Sequence, residues 1–290
     1  MVRKTGEQPL QQISAIAVTP EEIGLIVDED VGSGDITAAI IPASASAQAT
    51  VISRESMVLC GQAWFAAVFA YLAKDADIRW AVADGDRVEA NTVLCTLQGT
   101  ARTLLTGERT ALNLLQTLSG TATASRRFAD AVQGTGAKVL DTRKTLPGLR
   151  KAQKYAVRCG GCYNHRFGLY DGILIKENHI LAAGSITQAV ATARSLHQSM
   201  PVEVEVENRV ELEEALAAGA DRVLLDNFDI DALNQAVSIT AGRTELEASG
   251  NITADNIRTV AETGVDFISV GALTKNLKAV DLSMRIRFLD

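Results

Sequence analysis

Nine lysines and arginines fall between Lys138 and Lys176, a stretch whose only acids are Asp141 and Asp171. The density is unexpected in a chain of formal net charge −7. Arg143, Lys144, Arg166 and Lys176 are expected at strand ends or in the Gly-rich Cys159–Gly168 loop. Four cations converging there repel one another unless a polyanion joins them. Arginine offers a planar fork for carboxylate or phosphate, and lysine a compact point charge. Arg150, Lys151, Lys154 and Arg158 read instead as a solvated helix face or a phosphate rim. Glu205 and Asp226 each close an apolar run. Carboxylates so placed can bind sugar hydroxyls or a divalent metal, or act as acid and base. The plainer alternative is a pair of buried acids satisfied by the cations. Glu203, Glu205 and Glu207 alternate onto one strand face, and only the one nearest the mouth of a barrel is expected to matter.

Two loops of small residues, Ser249-Gly250-Asn251 and Gly271-Ala272, have free backbone N–H groups of the kind that cradle phosphate. Cys159, Cys162 and His165 have the C-x-x-C-x-x-H spacing of a metal site or a redox pair. No fourth ligand and no second C-x-x-C accompany them, so loop packing is the preferred reading. His165 is expected to donate a hydrogen bond to an anionic substrate. Lys176 at a strand end also suits a Schiff-base lyase or aldolase, but such a lysine is desolvated, and this one has Arg143, Arg166 and His165 for company. A non-enzymatic anion-binding barrel remains as a third reading. The full set of cations, carboxylates and phosphate loops argues against it.

These groups need strands to carry them. Lys138–Asp141, Gly172–Lys176, Val202–Val206, Arg222–Leu225, Glu245–Ala248 and Phe267–Val270 are short runs rich in Val, Ile and Leu. Helical patterns such as Arg209–Ala218 and Ala254–Thr263 lie between them, closed by Gly219 and Gly264. Repeated βα units predict a parallel barrel or an open doubly wound sheet. No G-x-G-x-x-G follows a first strand, which disfavours a dinucleotide fold. Six strands fit an incomplete, irregular barrel, with the chemistry at the strand C-termini. The first part of the chain reads differently. Strands are predicted over Ala49–Arg54, Ile78–Val82 and Val93–Leu97, with a turn at Asp84-Gly85-Asp86 and a helix over Gln62–Ala73. A long helical stretch from Gly107 to Val132 is expected to break near Ser119-Gly120. The tail alternates Leu282, Met284, Ile286 and Phe288 with polar residues, a period-two strand that should return to the first domain.

The ordered motifs resemble the quinolinate phosphoribosyltransferase family. They are Gly34-Asp35-Ile36-Thr37, Gly107-Glu108-Arg109-Thr110-Ala111-Leu112-Asn113, Asp141-Thr142-Arg143-Lys144-Thr145-Leu146-Pro147-Gly148-Leu149-Arg150 and Asn164-His165-Arg166. Ile175-Lys176-Glu177-Asn178-His179, the 202–207 strand, Leu225-Asp226-Asn227, Ser249-Gly250-Asn251 and Ser269-Val270-Gly271-Ala272-Leu273 complete the series. The resemblance implies the type II phosphoribosyltransferase fold: an N-terminal α/β sandwich over 1–121, with 276–290 returning to it, and an irregular, open α/β barrel over 122–275. It implies that quinolinate and phosphoribosyl pyrophosphate give nicotinate mononucleotide, pyrophosphate and carbon dioxide, with Mg²⁺ as cofactor. Arg143, His165, Arg166 and Lys176 would hold the quinolinate carboxylates, joined by Arg109 from the partner of a homodimer. Lys144, Glu205 and Asp226 would contact phosphoribosyl pyrophosphate as the catalytic set, the two acids also serving Mg²⁺ directly or indirectly, and Thr142 would be a further substrate-binding residue. Ser249, Gly250, Asn251, Val270, Gly271 and Ala272 would frame its 5′-phosphate. Cys162 stands where the family usually has glycine, and Ala248 where a larger aliphatic is more usual.

Composition agrees with a small-molecule enzyme. The net negative charge disfavours a general nucleic-acid surface. The longest apolar run, Trp64–Ala73, is well short of the roughly 20 residues of a membrane span. Arg3 and Lys4 lead into polar sequence, not the apolar core of a secretory signal, and four cysteines make no disulfide framework. A cytoplasmic protein with reduced thiols is expected.

Overall fold

The computed structural model describes residues 17–73 and 76–289. The chain divides into two compact units, one built from residues up to Thr123 together with those from Lys278 onward, the other from Ala124–Leu277.

The first unit begins with α1 (Pro20–Val31). Its start is a capping box: the Thr19 hydroxyl accepts from Glu22 N, and the Glu22 carboxylate accepts from Thr19 N. Pro20 follows, in the turn where a missing N–H loses nothing. β1 (Ser46–Ser53), β2 (Met57–Val58), α2 (Gln62–Leu72), β3 (Asp77–Trp80), β4 (Arg87–Val88), β5 (Val93–Thr100) and α3 (Ala101–Ala131) come next. Phe65 on α2 meets Trp80 on β3 edge-on, with ring centroids 5.3 Å apart. The predicted late start and break of α3 are both wrong, since the helix begins at Ala101 and runs unbroken to Ala131. Gly120 has another purpose. A Cβ there would lie 2.3 Å from the carbonyl oxygen of Lys278, so the side chain is excluded by backbone crossing the helix. A glycine inside a helix costs only about 1 kcal/mol, too little to end one that is packed on both sides.

The second unit strings together β6 (Lys138–Leu140), α4 (Arg150–Cys159), β7 (Ile173–Ile175), α5 (Glu177–Ala183), α6 (Ile186–Leu196), β8 (Val202–Val206) and α7 (Arg209–Ala217). β9 (Arg222–Asp226), α8 (Ile230–Thr240), β10 (Glu245–Ser249), α9 (Ile257–Glu262), β11 (Phe267–Ser269) and α10 (Ala272–Lys275) complete it. Each of the six apolar runs expected as a strand forms one. They pair in parallel in the order β6-β11-β10-β9-β8-β7. β6 and β7 are the two edges and do not pair, so the sheet is open. The segment after α4 touches the β6 edge through a parallel bridge between Leu140 and Tyr163. Gly219 and Gly264 sit past the ends of α7 and α9 with φ of +76° and +94°, where a side chain would be strained.

The chain then returns to the first unit. β12 (Leu282–Leu289) runs antiparallel to β1, from Ser46↔Leu289 to Ser53↔Leu282, in a sheet ordered β12-β1-β5-β3. Among the described residues no helix is long and apolar enough to cross a membrane.

Candidate active site

The loop after β6 is held by side chains of α4 and α10. Arg150 donates to Thr145 Oγ1 (3.2 Å), to the Phe167 carbonyl (3.1 Å) and to the Arg143 carbonyl (3.4 Å). Gln153 accepts from Leu146 N and donates to the Thr274 carbonyl, and the Thr274 hydroxyl donates to the Lys144 carbonyl. Lys144 N donates to Thr142 Oγ1. A Cβ on Gly271 would lie 3.2 Å from Lys144 Cδ and 3.7 Å from Thr142 Oγ1. Thr142, Lys144 and the 270–272 loop are therefore immediate neighbours, although 130 residues separate Lys144 from Thr274.

Lys154 overturns the solvated-face reading. It is fully buried against Asp141, Nζ to Oδ1 at 2.5 Å, and neither side chain has any exposure. Asp141 also accepts from Asn164 Nδ2 (2.6 Å) and His165 N (2.9 Å), while Lys154 donates to the His165 carbonyl (3.0 Å). The pair thus grips the backbone of His165 at both its N–H and its C=O. Burial pushes the Asp141 carboxyl up and the Lys154 ammonium down, and the attraction between them opposes both shifts. Lys154→Met alone should lose about 3–5 kcal/mol of stability by orphaning a buried carboxylate. Adding Asp141→Asn should recover about half of that or more. Urea unfolding of the three proteins measures it, and a double variant no more stable than Lys154→Met would exclude the orphaned charge as the cause.

His165 Nε2 points at Glu203 Oε2 (3.0 Å) and Glu247 Oε2 (3.6 Å), and its Nδ1 accepts from Arg166 N (2.8 Å). Burial resists charging the ring, but the hydrogen bond to Glu203 and the charge of Glu247 outweigh it and raise its pKa. Arg166 donates to the Gly172 carbonyl (3.1 Å). Burial and the nearby charge of Arg143 hold the Arg166 guanidinium below its ordinary range, against the pull of Glu203, Asp171 and Glu205. The two arginines are thus close enough to repel, the signature of a site that takes an anion.

At the next strand ends, Lys176 after β7 forms an ion pair with Glu205 on β8. Asp226, at the end of β9, accepts from Asn227 Nδ2 (2.9 Å). Asn227, Gly250 and Asn251 all adopt positive φ, of +57°, +101° and +51°. A Cβ on Gly250 would fall 2.2 Å from Asn227 Oδ1, so only glycine lets these loops interlock. Glu205, Asp226, Ser249 and Gly250 are half-buried, as an accessible polar rim requires. Of the three alternating glutamates, Glu207 is exposed and Glu203 is buried. Glu203 is held ionised by His165 and Arg222 against its burial. Glu203, set aside among the three alternating glutamates, and Glu247 are not legible as site residues in the sequence, because acids inside a barrel cannot be told from acids on its rim without the register.

Arg109 lies on α3 in the first unit and is exposed there. Asp35 accepts from Thr106 Oγ1 (2.9 Å), one turn earlier on the same helix, and from Ala38 N (2.9 Å). Cys159 and Cys162 are buried free thiols, and among the described residues no ligand group combines them with His165. Cys162 Sγ donates to the Ser125 carbonyl, and burial pushes its thiol up to about 12. Cys162→Gly is expected to keep most of the activity while losing about 1–3 kcal/mol of stability to the cavity. A folded but inactive Cys162→Gly protein would refute the packing role.

The model of the quinolinate phosphoribosyl transferase N-terminal domain matches residues 35–119, and that of the C-terminal domain residues 121–285. A probable nicotinate-nucleotide pyrophosphorylase (carboxylating) of Bacillus subtilis is 42% identical, over 89% of this chain and 90% of its own length. The structure of nicotinate-nucleotide pyrophosphorylase from Francisella tularensis superposes with a TM-score of 0.88 at 47% identity, covering 93% of this chain and 98% of that one. NadC from Streptococcus pyogenes gives 0.91 at 39% identity, covering 95% and 100%. This chain belongs to the quinolinate phosphoribosyltransferase family.

Proposed function

We propose that the protein transfers the phosphoribosyl group of phosphoribosyl pyrophosphate to the ring nitrogen of quinolinate, with loss of carbon dioxide, to give nicotinate mononucleotide for NAD biosynthesis. The observation that carries the reading is one set of strand ends holding three things: repelling arginines at Arg143 and Arg166, carboxylates at Glu205 and Asp226, and small-residue loops at 249–251 and 270–272. Arg143, Arg166 and Lys176, with His165 beside them, form a clamp for a dicarboxylate. Lys144 and Thr142 border Gly271, where a phosphate would meet both a cation and backbone N–H groups.

Glu205 and Asp226 are hard oxygen donors on adjacent strands, a set that fits Mg²⁺ shared with substrate phosphates. When bound, that ion would offset the charge of the departing pyrophosphate. The chain's own groups have separate tasks. Lys144 stabilises the anionic leaving group, and the two carboxylates orient the ribose while its ring becomes cation-like. The positive nitrogen made by ribosyl transfer then stabilises the ring carbanion left when the adjacent carboxylate departs as carbon dioxide, and a proton from solvent takes the carboxylate's place. Lys176 is ion-paired to Glu205, which is unlike the desolvated amine of a Schiff-base enzyme.

The protein would act as a homodimer in the cytoplasm, each barrel receiving Arg109 from its partner. Purified protein given quinolinate, phosphoribosyl pyrophosphate and Mg²⁺ should release pyrophosphate and carbon dioxide in equal amounts. Pyrophosphate without carbon dioxide would move the acceptor to another base, and neither product would refute the reading.

A further inference from the structure

The inside of a parallel barrel is normally filled by apolar side chains, yet three neighbouring strands here turn charged groups inward beneath the Arg166 loop. Glu203 stands on β8, Arg222 on β9 and Glu247 on β10, and Glu247 has no exposure. Arg222 lies 3.4 Å from the Glu247 carboxyl and 3.9 Å over the Phe267 ring. His165 enters this group from the loop, with Nε2 3.0 Å from Glu203 and Nδ1 2.8 Å from Arg166 N.

These distances assign the protons. A backbone N–H can only donate, so Nδ1 is the bare nitrogen, and the ring hydrogen sits on Nε2, aimed at Glu203. The nearby carboxylates favour an imidazolium. A proton on Nδ1, however, would be set against the Arg166 N–H and would have to be held in a buried place. Glu247 fits the same pattern. Burial first, then the charge of Glu203, pushes its carboxyl up to about 8, which disfavours a second anion beside Glu203.

We propose that Glu203 is a positioning residue: Arg166 N–H to His165 Nδ1, and His165 Nε2–H to Glu203, form a chain that fixes the neutral tautomer of His165 and the place from which Arg166 reaches quinolinate. The proposal rests on the carboxylating phosphoribosyltransferase reading and adds to it the groups that hold His165 and Arg166 in place. The Asp141–Lys154 pair grips the His165 backbone from one side, and Glu203 grips its ring from the other.

Full-length protein labelled with ¹⁵N at histidine provides the test. The chain has three histidines, His165, His179 and His197, so a His165→Gln spectrum suffices for assignment. Two-bond ¹H–¹⁵N spectra at neutral pH should show His165 as the neutral Nε2–H tautomer, and Glu203→Gln should shift it to a mixture. In kinetics, Glu203→Gln should raise the quinolinate KM about tenfold and change the phosphoribosyl pyrophosphate KM by less than about twofold. Because the spectrum does not depend on turnover, it still reads the hydrogen-bond chain if the enzyme rejects quinolinate. An imidazolium or Nδ1–H signal for His165 in the wild type would overturn the proposal. So would a stoichiometric divalent metal on His165, Glu203 and Glu247, whose ligand atoms lie within 4.8 Å of one another. An unaltered tautomer and quinolinate KM in Glu203→Gln would do the same.

Discussion

Quinolinate is expected to exceed nicotinate by at least about 10³-fold in kcat/KM at saturating phosphoribosyl pyrophosphate and Mg²⁺. Arg143 and Arg166 are close enough for one to depress the other's pKa, and Lys176 stands at the adjoining strand end. Quinolinate brings two carboxylates to this cluster, whereas nicotinate lacks the one beside the ring nitrogen. Nicotinate would therefore leave a desolvated cation unpaired, at about 1.5–3 kcal/mol for a charged hydrogen bond. Sites built around a polar group reject analogues lacking it by about 10⁴-fold or more. Turnover adds to the penalty, because the missing group is the one the reaction expels. Steady-state rates with both acids decide the matter. Similar efficiency would remove quinolinate as the substrate while leaving phosphoribosyl transfer in place.

The features legible in the sequence are those that local physics determines. Val, Ile and Leu recur in short runs bounded by turn signals, unbroken in β9 and alternating with glutamate in β8 and β10, so these strands declare themselves within a residue or so. Gly219 and Gly264 mark helix ends because positive φ is a local requirement. The site's charges were legible too, since strand C-termini can be read off once the strands are known. What stayed hidden depends on groups far apart in the chain. Lys154 has the spacing of an exposed helix face, and only the fold reveals Asp141 beneath it. Gly120 looks like a helix breaker until Lys278 is found across its surface. Glu203 and Glu247 belong to the barrel interior through a register that no alternation pattern supplies. One signal was local and was passed over: Thr19-Pro20-Glu21-Glu22 carries the hydroxyl, proline and N3 glutamate of a helix start, and α1 begins there. Long-range burial of charge is thus the part of this site that sequence patterns conceal most completely.

Mixing two inactive variants is expected to restore activity. Arg109→Ala and Lys144→Ala should each lose at least about 10²-fold in kcat/KM, the loss expected for a charge-assisted contact to substrate. Arg109 is exposed in its own unit, on the side of α3 away from buried Leu104, Ala111 and Leu115. Lys144 belongs to the second unit, beside Gly271. If Arg109 serves the partner's barrel, a hybrid dimer has one barrel with Lys144 from its own chain and Arg109 from the other. Its second barrel lacks both. Random reassortment makes half the dimers hybrids, so an equimolar mixture should recover about one quarter of wild-type activity in a two-fold symmetric dimer. A site built within one chain predicts no recovery at any mixing ratio, because every barrel then lacks one of the two cations. Differently tagged subunits confirm that hybrids form, and stable hybrids without activity would place Arg109 in its own chain's site.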